Sequence, residues 1–286
     1  MNKIIQITAG CLMAMATTLA VPYLVQAEEY PYSVGLGFEF SSGKYGTDIR
    51  TDSIYAPLTI VASPTDRLGV SLEIPFVYQS NSNVLSSIAT GGMQSNRTIM
   101  RSAVGVSGMS GSGSGASSSA TGTDQSESGL GDITLKVGYV LLPEKDSLPQ
   151  IRPAVFVKFP TADKNKALGT GEFDEGVAVE ISKWFGNWNP FAEAGYTVQG
   201  KSAQLSLRNY VAYNAGVGYQ VGDNFRPILL IKGATAPADG ASSLLEARLK
   251  LKYQATSSTG IDGYLAKGIT TNSPDYGIGL SVYYNF

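Results

Sequence analysis

The chain has 286 residues, with 21 basic against 23 acidic side chains and a formal net charge of −2, so it offers no cationic surface of the kind nucleic acid requires. It has no histidine and one cysteine, Cys11, which removes Ser-His and Asp-His hydrolysis, zinc sites built on His or Cys, and a disulfide-stapled scaffold. Hydrophobic content is an ordinary 43%, but the 33 glycines and 16 tyrosines are many, and no feature of the composition asks for a cofactor.

In chain order, Lys3 precedes an apolar run from Ile4 to Val25, and Val25-Gln26-Ala27 forms a small-residue cleavage pattern. Residues 1–27 are expected to be a cleaved signal peptide, leaving residues 28–286 as one domain. Beyond the leader no run of about 18 apolar residues occurs, which excludes helical membrane spans.

A period of two governs the remainder. Leu68, Val70, Leu72, Ile74, Phe76 and Tyr78 alternate with Gly69, Ser71, Glu73, Pro75, Val77 and Gln79, and the run around Leu245 to Gln254 repeats the pattern. Such runs are strands with one dry and one wet face. Treated alike, the sequence predicts about 12 of them: Tyr32 to Phe40, Asp48 to Ala62, Leu68 to Gln79, Leu130 to Leu142, Gln150 to Pro160, Phe173 to Phe185, Trp188 to Gln199, Leu207 to Val221, Arg226 to Ala236, Leu244 to Gln254, Ile261 to Gly268 and Asp275 to Phe286. Tight connections such as Gly186-Asn187 and Gly222 to Phe225 alternate with longer ones, the longest between the third and fourth strands. This arithmetic predicts an all-β fold, a transmembrane antiparallel up-and-down β-barrel with short turns on one side and long loops on the other.

A soluble sandwich would also alternate, and aromatic placement separates the two. On the apolar parity Tyr32, Tyr139, Trp188, Tyr219, Tyr253 and Phe286 fall at the ends that meet tight turns or termini, and Phe40, Tyr78, Phe159, Tyr196 and Tyr276 at the opposite ends. Two aromatic belts flanking aliphatics belong to membrane interfaces, so outer-membrane lipid is the expected surroundings. The last strand, Gly277 to Phe286, alternates up to its aromatic final residue, which resembles the C-terminal signature of bacterial outer-membrane proteins. That resemblance implies recognition of Phe286 by the barrel-assembly machinery.

The long connection, 80–129, is Gly/Ser-rich, above all from Ser107 to Thr123, and reads either as a flexible surface coil or as a segment folded into the lumen. Gly195-Tyr196-Thr197-Val198-Gln199-Gly200-Lys201-Ser202 satisfies the phosphate-loop pattern, but its loop residues are β-formers and a strand, not a helix, follows.

Gly129-Leu130-Gly131-Asp132, Phe159-Pro160-Thr161, Leu168-Gly169-Thr170-Gly171 and Asn189-Pro190-Phe191 to Gly195-Tyr196 together resemble the outer-membrane family associated with the meta-cleavage pathway of phenol degradation. The resemblance implies a transporter-like protein for aromatic or other hydrophobic compounds. It supplies no catalytic residues.

The inward parity places Arg152, Lys158, Arg208, Arg226, Lys232, Arg248, Lys250 and Lys252 against Glu39, Glu73, Glu180, Glu193 and Glu246. These are the expected pore-lining residues, with no catalytic, cofactor or metal site among them. Glu180 and Glu193 are expected to form lumenal salt bridges with Lys158 and Arg208 on flanking strands. The expected function is a monomeric outer-membrane channel for passive uptake of small solutes, with a modestly basic lining that favours aromatic, hydrophobic or anionic compounds. The alternative is a closed structural barrel whose surface loops mediate adhesion or envelope integrity, recognisable by a lumen filled with charge pairs.

Overall fold

A computed structural model describes residues 31–46, 48–80, 126–202 and 205–286, together with two short strand segments, Val84–Leu85 and Ala116–Ser117, that pair with each other. The expected signal peptide and most of the Gly/Ser-rich connection lie outside the described residues. Twelve antiparallel strands form the barrel. They are β1 (Tyr32–Gly43), β2 (Thr51–Ala62), β3 (Leu68–Gln79), β4 in two pieces (Glu127–Leu130 and Ile133–Tyr139), β5 (Gln150–Phe159), β6 (Asp174–Ser182), β7 (Trp188–Val198), β8 (Tyr210–Tyr219), β9 (Phe225–Ala234), β10 (Leu244–Gln254), β11 (Thr259–Gly268) and β12 (Tyr276–Asn285).

Each strand pairs with its sequence neighbour, and β12 returns to β1 in a ladder from Ser33↔Asn285 to Ser42↔Tyr276. The amide of Phe286 donates to Tyr32 O at 3.0 Å and extends this seam. Closure leaves no strand edge, the condition for a sheet to sit in hydrocarbon, where an unpaired backbone group has no water to turn to. No described helix is long and apolar enough to cross a membrane; the strands do so.

The dry face points outward. Leu36 is 63% exposed, Leu229 61% and Leu280 56%, an apolar surface of a size that water does not tolerate and lipid does. The belts lie where alternation puts them, and their rings meet across strands: Trp188 and Tyr219 pack edge to face at 4.7 Å between centroids, and Phe40 and Tyr276 tilt together at 6.2 Å. By the rule for such barrels, the tight turns are periplasmic and the longer loops extracellular.

β4 departs from the uninterrupted strand that the sequence predicts. Phe76 pairs with Leu130 and Glu73 with Thr134, so Ile74-Pro75 on β3 face three residues, Gly131-Asp132-Ile133, on β4. This is a β-bulge, and Pro75 explains it, because a proline has no N–H to give the ladder. The amide of Gly131 donates instead to Pro75 O at 2.8 Å, and a side chain at Gly131 would meet Pro75 and Val77. The bulge switches the inward parity: Gly129 faces inward above it, and Thr134 and Lys136 below it.

Candidate functional site

The interior of the barrel is polar. Glu39, Glu73, Arg152, Lys158, Glu180, Glu193, Arg226, Glu246, Arg248, Lys250 and Lys252 are buried on its inward face, and the Lys232 side chain is nearly so. Arg208 is the exception. β8 begins only at Tyr210, which leaves Arg208 in the preceding extracellular loop, its side chain 62% exposed and its Nε 2.6 Å from Asp239 Oδ1.

The pairs formed inside differ from those expected. Glu193 Oε1 is 3.2 Å from Lys136 Nζ, and its other oxygen accepts from Asn214 Nδ2 at 3.0 Å. Glu180 lies between Arg152 of β5 and Glu193 of β7 in the register. Lys158 turns away from both glutamates to Asp132 at 2.8 Å and Asp174 at 2.9 Å. On the opposite wall Arg248 binds Glu246 at 2.6 Å and lies 4.3 Å over the ring of Tyr264. The Tyr264 hydroxyl donates to Glu39 at 2.6 Å, and that of Tyr55 donates to Glu73. Lys250 Nζ is 3.2 Å from Asp262 Oδ2, and Lys252 faces Asp262 in the register.

Lys136, Asp132, Asp174 and Asp262, ion-paired inside the barrel, were thus absent from the expected inward residues. Lys136 and Asp262 sit at readable inward positions, whereas Asp132 lies in the bulge. With these four included and Arg208 removed, the lumenal cations and carboxylates of the described residues balance. The basic excess expected of the inward residues is therefore not found.

Glycines make room for the inward rings. A Cβ on Gly279 would lie 2.1 Å from the Tyr264 ring, one on Gly260 2.1 Å from Tyr283, and one on Gly176 2.4 Å from Phe156, each glycine being the ring's direct cross-strand partner. The rings therefore lie flat over neighbouring backbone, which keeps Tyr264 within reach of Glu39.

At the extracellular end the described loops fold inward. Residues 160–173, between β5 and β6, turn inward over the bulge. Thr161 Oγ1 accepts from Ile133 N at 2.9 Å and donates to Gly131 O at 2.8 Å, and the Ala162 amide donates to Asp132 Oδ1 at 3.0 Å. Lys158 Nζ adds a bond to Thr170 Oγ1 at 3.2 Å. Leu168, 1% exposed, packs with Tyr55, Val77 and Ala162. Ala167 adopts left-handed φ of 53°, a conformation that costs a non-glycine residue about 1–2 kcal/mol and that surrounding contacts must hold. Tyr45, in the β1–β2 loop, is fully buried and hydrogen-bonded to Ser41 at 3.0 Å; burial pushes its phenol up to about 12.

Gly195 to Val198 belong to β7, and the Gly200 amide that a phosphate loop would turn on an anion donates to Asp174 Oδ1 at 3.1 Å. No group of three or more potential metal ligands occurs among the described residues.

A closed twelve-stranded antiparallel sheet with an aromatic-belted apolar exterior and a polar, ion-paired interior defines an outer-membrane β-barrel. Residues 61–286 match the family described as "Putative MetA-pathway of phenol degradation", and the chain belongs to that family. Among solved structures, an outer membrane channel from Pseudomonas putida F1 aligns with a TM-score of 0.63 at 15% identity, covering 93% of this chain and 99% of that one. The KdgM porin in complex with disordered oligogalacturonate aligns with a TM-score of 0.50 at 9% identity, covering 89% and 99%. At these identities the likeness is one of fold. No curated protein sequence matches the chain.

Proposed function

We propose that this protein is a monomeric outer-membrane channel through which small solutes diffuse passively. One observation carries the reading: inward-facing polar and charged side chains come from strands all round the barrel, while the segments that fold inward at the extracellular end are loops, which can move without opening a strand ladder. Membership in a family described by phenol degradation, and a fold shared with a channel and a porin, support it. The residues at inward positions are its lining. Their balanced charge removes the basis for an anion preference and favours small uncharged solutes, aromatic and other hydrophobic compounds among them. Residues 1–27 direct export and are then cleaved, and the barrel-assembly machinery reads the final strand with Phe286. Catalysis has no part in this reading.

The interior ion pairs favour a second reading, a closed structural barrel whose loops mediate adhesion or envelope integrity, because Lys136 and Glu193 reach each other across the lumen. Single-channel recording on the refolded barrel in a planar bilayer separates the two. Discrete conductance steps are expected, and persistent silence would establish the structural barrel.

A further inference from the structure

At the extracellular end a short piece of chain joins one wall to the loop above the opposite wall. On one side, Gln79 of β3 donates from Nε2 to Ala167 O at 2.9 Å, and Leu168 is buried against Tyr55 and Val77 of β2 and β3. On the other, Ala167 packs against Ala238, in the loop between β9 and β10. In a ring of twelve strands β9 and β10 stand opposite β3 and β4, so residues 167 and 168 link the wall at β3 to the loop that comes in from the opposite side.

Their depth matters as much as that link. Tyr55 is four residues below the upper end of β2, about 13 Å along the strand at the usual rise. The side chains that pack on Leu168 are aromatic or aliphatic, while inward positions farther down carry acidic and basic side chains such as Glu73 and Lys136. A narrow apolar constriction sheds water, and a passage that dewets stops ions before it stops neutral solutes.

The loop is held by a latch distinct from the stopper. Asp132, turned inward by the bulge, binds both the Ala162 amide and Lys158, and Lys158 is shared with Asp174 and Thr170. Gly169 lies so close that a Cβ there would be 2.8 Å from either Asp132 oxygen. The latch therefore joins both ends of the loop to the bulge in β4.

We infer that residues 160–173 form the gate of this channel, with Leu168 as its apolar stopper, which selects small uncharged solutes against ions, and Asp132 as the residue that positions it. The inference rests on the channel reading, and a disulfide separates the two. The sequence from residue 28 onward has no cysteine, so A167C/A238C introduces one pair at a contact that already exists. Oxidation should fasten the two loops together, lower conductance several-fold against the same protein reduced, and be reversed by dithiothreitol. Folding is monitored by heat-modifiable mobility in both states. L168A should raise ion conductance several-fold, and D132N should do the same by freeing the loop. If the disulfide forms and conductance does not change, or if the pair fails to form in folded protein, the gate is refuted while the channel stands. If wild type, L168A and D132N are all silent, the channel reading fails and the gate with it.

Discussion

Lys136 of β4 and Glu193 of β7 meet at 3.2 Å although three strand intervals, about 14 Å of wall, separate their strands. Both side chains leave the wall and form a chord inside the barrel, where their exposure is 7% and 3%. Removing one member strands the other in a site already shared by Glu180. K136M should therefore cost about 3–5 kcal/mol of unfolding free energy, and K136M/E193L should recover most of it. Urea unfolding of the refolded barrel in detergent measures both. A loss under about 1 kcal/mol for K136M would show a solvated pair.

G279A tests the seating of the lumenal rings. The added methyl would fall 2.1 Å from the Tyr264 ring, displacing it from Glu39 and from the Arg248 guanidinium stacked on it. The expected cost is about 1–3 kcal/mol, as for other overpacking. G263A is the control, because its nearest neighbour lies 3.6 Å away and the melting temperature should hold.

Phe286 is half exposed in the periplasmic belt, packs 5.7 Å from Tyr284, and closes the seam through its amide to Tyr32. F286A leaves the backbone pairing intact and removes only the ring. The expected result is less heat-modifiable folded protein in the outer membrane with unchanged delivery to the periplasm. Wild-type amounts of folded barrel would show that the ring serves the interface and not assembly.

Strand number, barrel closure and the belts were legible because each rests on alternation within one strand, a pattern that lipid on one side enforces along the whole chain. The β4 bulge was not, since its cause, Pro75, belongs to the neighbouring strand. Pairing failed for the same reason. Lys158 looked closest to Glu180 by strand order, yet register sets it beside Asp174, and the bulge turns Asp132 toward it. Arg208 was drawn into the lumen by a strand start set too early. The inward loop escaped because Gly169, Thr170 and Gly171 carry no periodic signal, and only its fold shows what Leu168 covers.

Arg248, Lys250 and Lys252 are successive inward cations on β10, and their partners decide what they do. Arg248 is bound by Glu246 at 2.6 Å, Lys250 by Asp262 at 3.2 Å, and Lys252 faces Asp262 across the strand pair. Solvated charges would add little to stability and much to selectivity, whereas buried pairs do the reverse. The observed contacts place these cations in the second class. R248Q/K250Q/K252Q takes Lys250 from Asp262 while Glu246 keeps Lys232 at 3.9 Å, so it should lower unfolding free energy by about 3–5 kcal/mol, and adding E246Q/D262N should restore a large part of it. The reversal potential of the variant in a salt gradient should stay near the wild-type value, because a paired cation contributes little net field to a passing ion. A shift toward cations at unchanged stability would show instead that these side chains line a hydrated path and that their partners are water and solute.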